Sequence, residues 1–219
     1  MQCCSDCNFG YRCSVHEEPG RRERKKIATR EALSAAALRL AAERGPDAVT
    51  VDEISRAADV SPRTFFNYFA TKEDAILGVD PERAVEAAGR LASRPADEAP
   101  LDALLATLTE ASRSLDERAE DWSLRMRLVR EHPSLFPRYV AGFAAIEREL
   151  VAAVAERCGL DPRTSVYPAL VVAVGLTAMR VAVEHWQATD RSPSVQDLLA
   201  DAFAHVAGGL TAPVPALHG

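Results

Sequence analysis

Four side chains within residues 63–68 carry groups that can read nucleic acid: Arg63, Thr64, Asn67 and Tyr68. A guanidinium forks onto the acceptor edge of guanine, a carboxamide pairs with adenine, and hydroxyls reach phosphate or base edges. Such contacts need a short rigid element. Ser61 can N-cap one, and Pro62 then takes the first helical position, where its missing N–H costs nothing. Upstream, Thr50 followed three residues later by Glu53 forms a capping box for another helix. Val51, Ile54, Ala57 and Ala58 then recur at helical spacing and define its apolar face. Asp59-Val60-Ser61 is too short and polar to extend that helix. Residues 50–69 therefore read as two short helices joined by a tight turn, the second one made to lie on DNA. Phe65, Phe66 and Phe69 read as its small core, with one ring available to a thymine methyl.

The flanking segments must hold this pair in place. Arg22–Arg44 reads as a helix stopped by Gly45-Pro46, with Ile27, Leu33, Ala37, Leu40 and Ala41 inward. Arg24, Lys25 and Lys26 open it, where they can meet phosphate or the adjacent minor groove. Thr50, besides capping, can donate to a phosphate. Thr71 with Asp74 caps a fourth helix that breaks or kinks near Asp80-Pro81 and continues to about Ser93. Beyond a Pro-rich loop, helices are expected over about 101–115, 120–131, 136–158, 161–187 and 192–210. No alternating strand pattern occurs, so the chain reads as all-α. The last two helices are apolar on more than one face, which makes them a central core or an interface.

Charge is unevenly distributed. The chain has a net charge of −6, yet residues 21–72 hold 11 Lys/Arg against 7 Asp/Glu, a net of +4. Residues 73–219 hold 14 against 22, a net of −8. A basic head on an acidic body suits a protein that touches DNA with one end.

The matching pieces from about Arg22 to Leu77 resemble the DNA-binding domain of the TetR family of bacterial regulators. They are Arg22-Glu23-Arg24-Lys25-Lys26-Ile27, Ala41-Ala42-Glu43-Arg44-Gly45, Thr50-Val51-Asp52-Glu53-Ile54, Val60 to Phe69, and Thr71 to Leu77. One departure is Asp59, where the family usually has Gly; Asp tolerates the left-handed backbone better than most residues. The resemblance implies phosphate anchoring by Tyr68 and Lys72, and a three-helix helix-turn-helix domain over residues 21–78. It also implies a larger effector-binding and dimerisation domain over 79–211, in which the last two helices form a four-helix dimer interface. Residues 212–219 read as a loose tail. Leu128 to Pro133, Asp161 to Pro168 and Arg180 to Trp186 are similar to the MftR-like branch, which is associated with acyl-CoA-type effectors. Trp122, Met126, Val129, Arg130, Arg180 and Trp186 are the ligand candidates under that resemblance, with Arg125 and Arg130 expected outside. The implied function is a homodimeric repressor released from a palindromic double-stranded operator by a small molecule. A transcriptional activator is the variant.

Other chemistry is sparse. Cys4, Cys7, Cys13 and His16 stand at metal-ligand spacing, which makes a metal- or redox-responsive regulator the alternative. Residues 1–20 otherwise read as a disordered extension, and residues 1–14 as a mis-assigned start ahead of Val15. Cys158 reads as a small apolar filler. No catalytic set, phosphate loop or cofactor motif appears, so neither an enzyme nor a resident cofactor is expected. The longest apolar run, Val166–Met179, is shorter than a bilayer span and no signal peptide is evident, so a cytoplasmic protein without a membrane partner is expected.

Overall fold

The computed structural model describes residues 20–189 and 192–211. Among them there are α-helices and no strand, in agreement with the all-α expectation. The helices are α1 (Arg21–Arg44), α2 (Val51–Ala57), α3 (Pro62–Phe66), α4 (Lys72–Leu77) and α5 (Pro81–Ala92). After these come α6 (Pro100–Glu117), α7 (Ala119–Glu131), α8 (Phe136–Cys158), α9 (Tyr167–Ala188) and α10 (Val195–Ala207). Short 3₁₀ turns at Pro46–Ala48 and Pro133–Leu135 link α1 to α2 and α7 to α8. The Cys4, Cys7, Cys13 and His16 series lies outside the described residues.

The fourth helix breaks just before Asp80-Pro81, as the sequence leads one to expect, and the chain is helical again to Ala92. α4 stops at Gly78, which is left-handed, and α5 starts afresh with Asp80 accepting the Glu82 N–H at 3.1 Å. The ninth helix begins at Tyr167 instead of Asp161. Asp161 folds its carboxylate onto the Arg163 N–H, and its carbonyl accepts from the Thr164 and Ser165 N–H groups, a local turn that competes with helix. Pro168 then falls in the first turn, where proline is tolerated.

α2 ends in a Schellman turn: the Asp59 N–H reaches the Arg56 carbonyl and the Val60 N–H reaches that of Ser55. α4 and α8 end the same way, but with Gly78 and Gly159 at the left-handed position. Asp59 occupies that position with φ +53, so the departure noted in the sequence falls on a strained residue. Asp59→Gly is expected to stabilise the fold by about 1 kcal/mol, a rise of about 2–4 °C in Tm. Calorimetry showing a lower Tm would refute the strain argument.

Two large apolar cores and a smaller cluster around Trp186 hold the helices. The first joins Leu33, Ala37 and Ala41 of α1 to Ile54, Phe65, Phe69 and Ile76. It is closed by Leu128 of α7 and Leu135 of the following turn. Three expected members are missing: Ile27, Ala57 and Phe66 are exposed. Ile27 lies on an early turn of α1, and Ser55, not Ala57, turns inward on α2. The second core joins α5, α6, α8, α9 and α10 through Leu91, Leu104, Leu150, Val172, Leu176, Leu199 and Phe203. Cys158 packs against it. Gly175 lets α9 meet α6 closely, since a Cβ there would run into the Leu104 side chain.

All but the first residue of the apolar run Val166–Met179 lies in a 22-residue helix, α9, which is long and apolar enough to cross a bilayer by length and composition. Here it packs against α6, α8 and α10, with nine of its residues buried. Its opposite side remains open: Val166, Leu170 and Val181 are exposed.

Candidate nucleic-acid interface

The α2–α3 pair forms as its caps require. The Thr50 hydroxyl accepts the Glu53 N–H at 3.3 Å, and the Glu53 carboxylate accepts the Thr50 N–H at 3.0 Å. The Ser61 hydroxyl accepts the Thr64 N–H at 3.1 Å, and Pro62 takes the first position of α3. α3 is shorter than the sequence implies. It ends at Phe66, with Asn67 as its C-cap and Tyr68 in the turn beyond. The arginine at position 30, which sequence reasoning passed over, pins that turn. Its Nη1 donates to the Tyr68 carbonyl at 2.8 Å, and its guanidinium lies 4.8 Å above the Phe69 ring. Nη2 also meets Asp80 at 3.0 Å.

This arrangement anchors one side of α3 and exposes the other. Phe65 and Phe69 are buried, while Arg63 and Asn67 are exposed and Thr64 and Tyr68 half-buried. Arg63 has no hydrogen-bond or ion-pair partner among the described residues. Phe66 was expected in the small core; instead it meets Phe65 edge-on and is 59% exposed, facing outward beside Arg63 and Asn67 in sequence.

The expected phosphate contacts divide. Arg24 and Lys25 are exposed on the first turns of α1. Lys26 is paired with Glu82 of α5 at 2.6 Å and does not offer a free ammonium. Lys72 donates to the carbonyls of Pro46, Asp47 and Val49 at 3.0, 3.3 and 2.9 Å. An ammonium has three donors, so all are used. Lys72 thereby ties the start of α4 to the turn before Thr50. The Thr50 hydroxyl gives its own proton to Glu53 at 2.8 Å. Both residues build the interface from within, and neither points an unused donor outward.

Glu53 also receives Arg44 at 2.8 Å. The Arg44 guanidinium, then the Thr50 hydroxyl and N–H, hold its carboxyl down at about 2, below the ordinary 4.5. A lowered folded-state value means stabilisation that is present above the unfolded value and lost as pH falls through the folded one. The stability difference between the parent and Glu53→Gln should therefore be constant above about pH 5. It should disappear between about pH 4.5 and 2 in acid titrations followed by circular dichroism. A difference independent of pH would remove this role from Glu53.

The six ligand candidates do not converge. Trp122 and Trp186 belong with Val183 and Val195, Val129 packs on the first core, and Met126 is only half-buried. Arg130 is exposed, and Arg180 is exposed and bound to Glu184 at 2.9 Å, as i,i+4 partners often are. Arg125, expected outside, is the inward one. Its Nε donates to the Ile76 carbonyl at 3.0 Å and its Nη2 to the Ser34 hydroxyl at 3.1 Å. Burial pushes its guanidinium below its ordinary value. The sequence signal was its place between Trp122 and Val129 on one helix.

Comparison with known proteins agrees with this geometry. Residues 33–77 match the sequence model of bacterial regulatory proteins of the tetR family, and residues 98–211 that of the MftR C-terminal domain. The HTH-type transcriptional regulator TcmR of Streptomyces glaucescens is 35% identical over 185 residues, covering 79% of this chain and 79% of that protein. The putative mycofactocin biosynthesis transcriptional regulator MftR of Mycobacterium tuberculosis is 29% identical over 187 residues, covering 85% of this chain and 93% of that protein. The fold is shared with the fatty acid degradation regulator FadR of Bacillus halodurans. That match has a TM-score of 0.54 and 18% identity, over 90% of this chain and all of that one. With its capped helix pair, its all-helical body and both sequence models matched, this chain belongs to the TetR family of DNA-binding transcriptional regulators.

Proposed function

We propose that the protein is a homodimeric repressor that reads a palindromic operator and leaves it when a small molecule binds. The observation that carries the DNA reading is α3 with the turn after it: Phe65 and Phe69 lock one side in the core, and the other presents Arg63 and Asn67 to solvent. In this reading Arg63, Thr64 and Asn67 address base edges, Tyr68, Arg24 and Lys25 address the backbone, and Thr50, Lys26 and Lys72 hold the frame. Residues 21–78 act as the DNA-binding domain and 79–211 as the effector and dimer domain. A dimer would set two such helices one DNA turn apart, roughly 34–36 Å. The outer face of α9 and α10 supports a dimer. It carries an apolar hollow of about 750 Å³ lined by residues such as Val174, Val181, Ala202, Val206 and Leu210. An exposed apolar surface of this kind is normally covered by a partner.

The matched C-terminal region supports an effector, and acyl-CoA-type ligands are the first class to test. An effector can release DNA only by binding the two conformers differently. The protein works in the cytoplasm, beside its DNA. The experiment is a binding titration against DNA upstream of its own gene at two salt concentrations, with and without a long-chain acyl-CoA. Selective, salt-sensitive binding weakened by the ligand is the expected result. Selective binding indifferent to the ligand removes the acyl-CoA class, and binding without selectivity removes the operator reading.

A further inference from the structure

A second concavity of about 320 Å³ lies where the DNA-binding helices meet the body, between α1, α4, α5 and α7. Its size is at the lower end of small-molecule sites. Trp122, Phe69 and Leu77 give it apolar wall. Its charged lining is lopsided: Arg30, Arg83, Arg118 and Arg125 outnumber Glu31, Asp80 and Asp121. The arginines are not equivalent. Arg30 is fixed by Asp80 and the Tyr68 carbonyl, and Arg125 by the Ile76 carbonyl and Ser34. Arg83 reaches Asp80 only at 3.9 Å. Arg118, just before α7, is bound among the described residues to one group, the carboxylate of Glu31 on α1.

These pairs also differ in depth. Arg30 and Asp80 are 17% and 14% exposed, whereas Arg118 and Glu31 are 39% and 41% exposed. A pair at that exposure is weak and exchanges readily. Glu31 thus shows what Arg118 takes, a carboxylate, and holds it at the mouth of an apolar-walled cleft.

We propose that this cleft binds a small organic carboxylate, whose carboxylate replaces Glu31 on Arg118 and whose apolar body lies against Trp122. The exchange replaces a direct latch between α1 and α7 with a ligand held by Arg118. Trp122 also packs against Val183, Trp186 and Val195, so an occupant touches both the DNA-binding helices and the body.

The test uses the full chain without DNA, so its outcome is separate from that of the operator reading. The probe is 1-naphthoate, with 1-naphthamide as its uncharged counterpart, measured by calorimetry and by tryptophan fluorescence. Naphthoate should bind saturably, and the amide at least about tenfold more weakly. Arg118→Gln should weaken naphthoate about tenfold or more, while Glu31→Gln, by removing the competitor, should tighten it several-fold. Arg148→Gln, an exposed change on α8, should leave it unaltered. Absence of saturable naphthoate binding, equal binding of the amide, or parental affinity in either the Arg118 or the Glu31 variant overturns the proposal.

Discussion

Arg63→Ala is expected to collapse the preference for operator over unrelated DNA while leaving the fold intact. One bidentate base contact discriminates by about 1–3 kcal/mol. The proposed dimer would make it twice, so the expected loss is about 2–6 kcal/mol, or roughly 30-fold to more than 10⁴-fold in the affinity ratio. Arg63 is exposed and partnerless among the described residues, so its removal orphans no buried group. Lys25→Ala provides the contrast. A lost phosphate contact weakens all sequences alike and lowers the salt slope by about one per contact. Gel-shift or anisotropy titrations against operator and scrambled duplexes separate the two outcomes. An unchanged operator-to-scrambled ratio in Arg63→Ala would move base reading off α3.

Arg125→Leu is expected to lower stability by about 2–4 kcal/mol, because it removes two hydrogen bonds from a charged donor and orphans an acceptor at the end of α4. Ser34 keeps its bond to the Ala75 carbonyl at 2.8 Å, so the damage should centre on Ile76. Arg125→Lys should not restore the loss, since a point ammonium cannot span two acceptors as the planar fork does. Urea denaturation of Arg125→Leu, Ser34→Ala and the double variant measures the coupling. Strict additivity would show that Arg125 and Ser34 do not act together.

Much of this was legible in order of locality. The capping box at Thr50 and the Ser61-Pro62 start depend on residues three or fewer apart, and both formed as read. The Asp59 departure pointed to a left-handed residue and the backbone is left-handed there. What periodicity could not supply was the partner of each long side chain. Lys72 and Lys26 have the charge for phosphate, but their acceptors lie 23 to 26 and 56 residues away in sequence and become visible only in the fold. Arg30 and Arg125 were missed or placed outside for the same reason. A cation on an apolar stripe reads as surface until its carbonyl acceptors are known. The ligand residues were gathered from one helix face and two distant segments, and helix packing sent them to separate clusters.

The first core described above is finished by Leu128 and Leu135, which arrive from α7 and the turn after it, some 50 residues past the end of α4. The consequence is one of modularity. A chimera that grafts residues 21–78 alone onto a foreign sensor would leave two leucine-shaped holes in its own reading head. A transplant that travels with residues 119–135 brings its own plugs, and exchange between relatives should succeed across that longer, discontinuous cut.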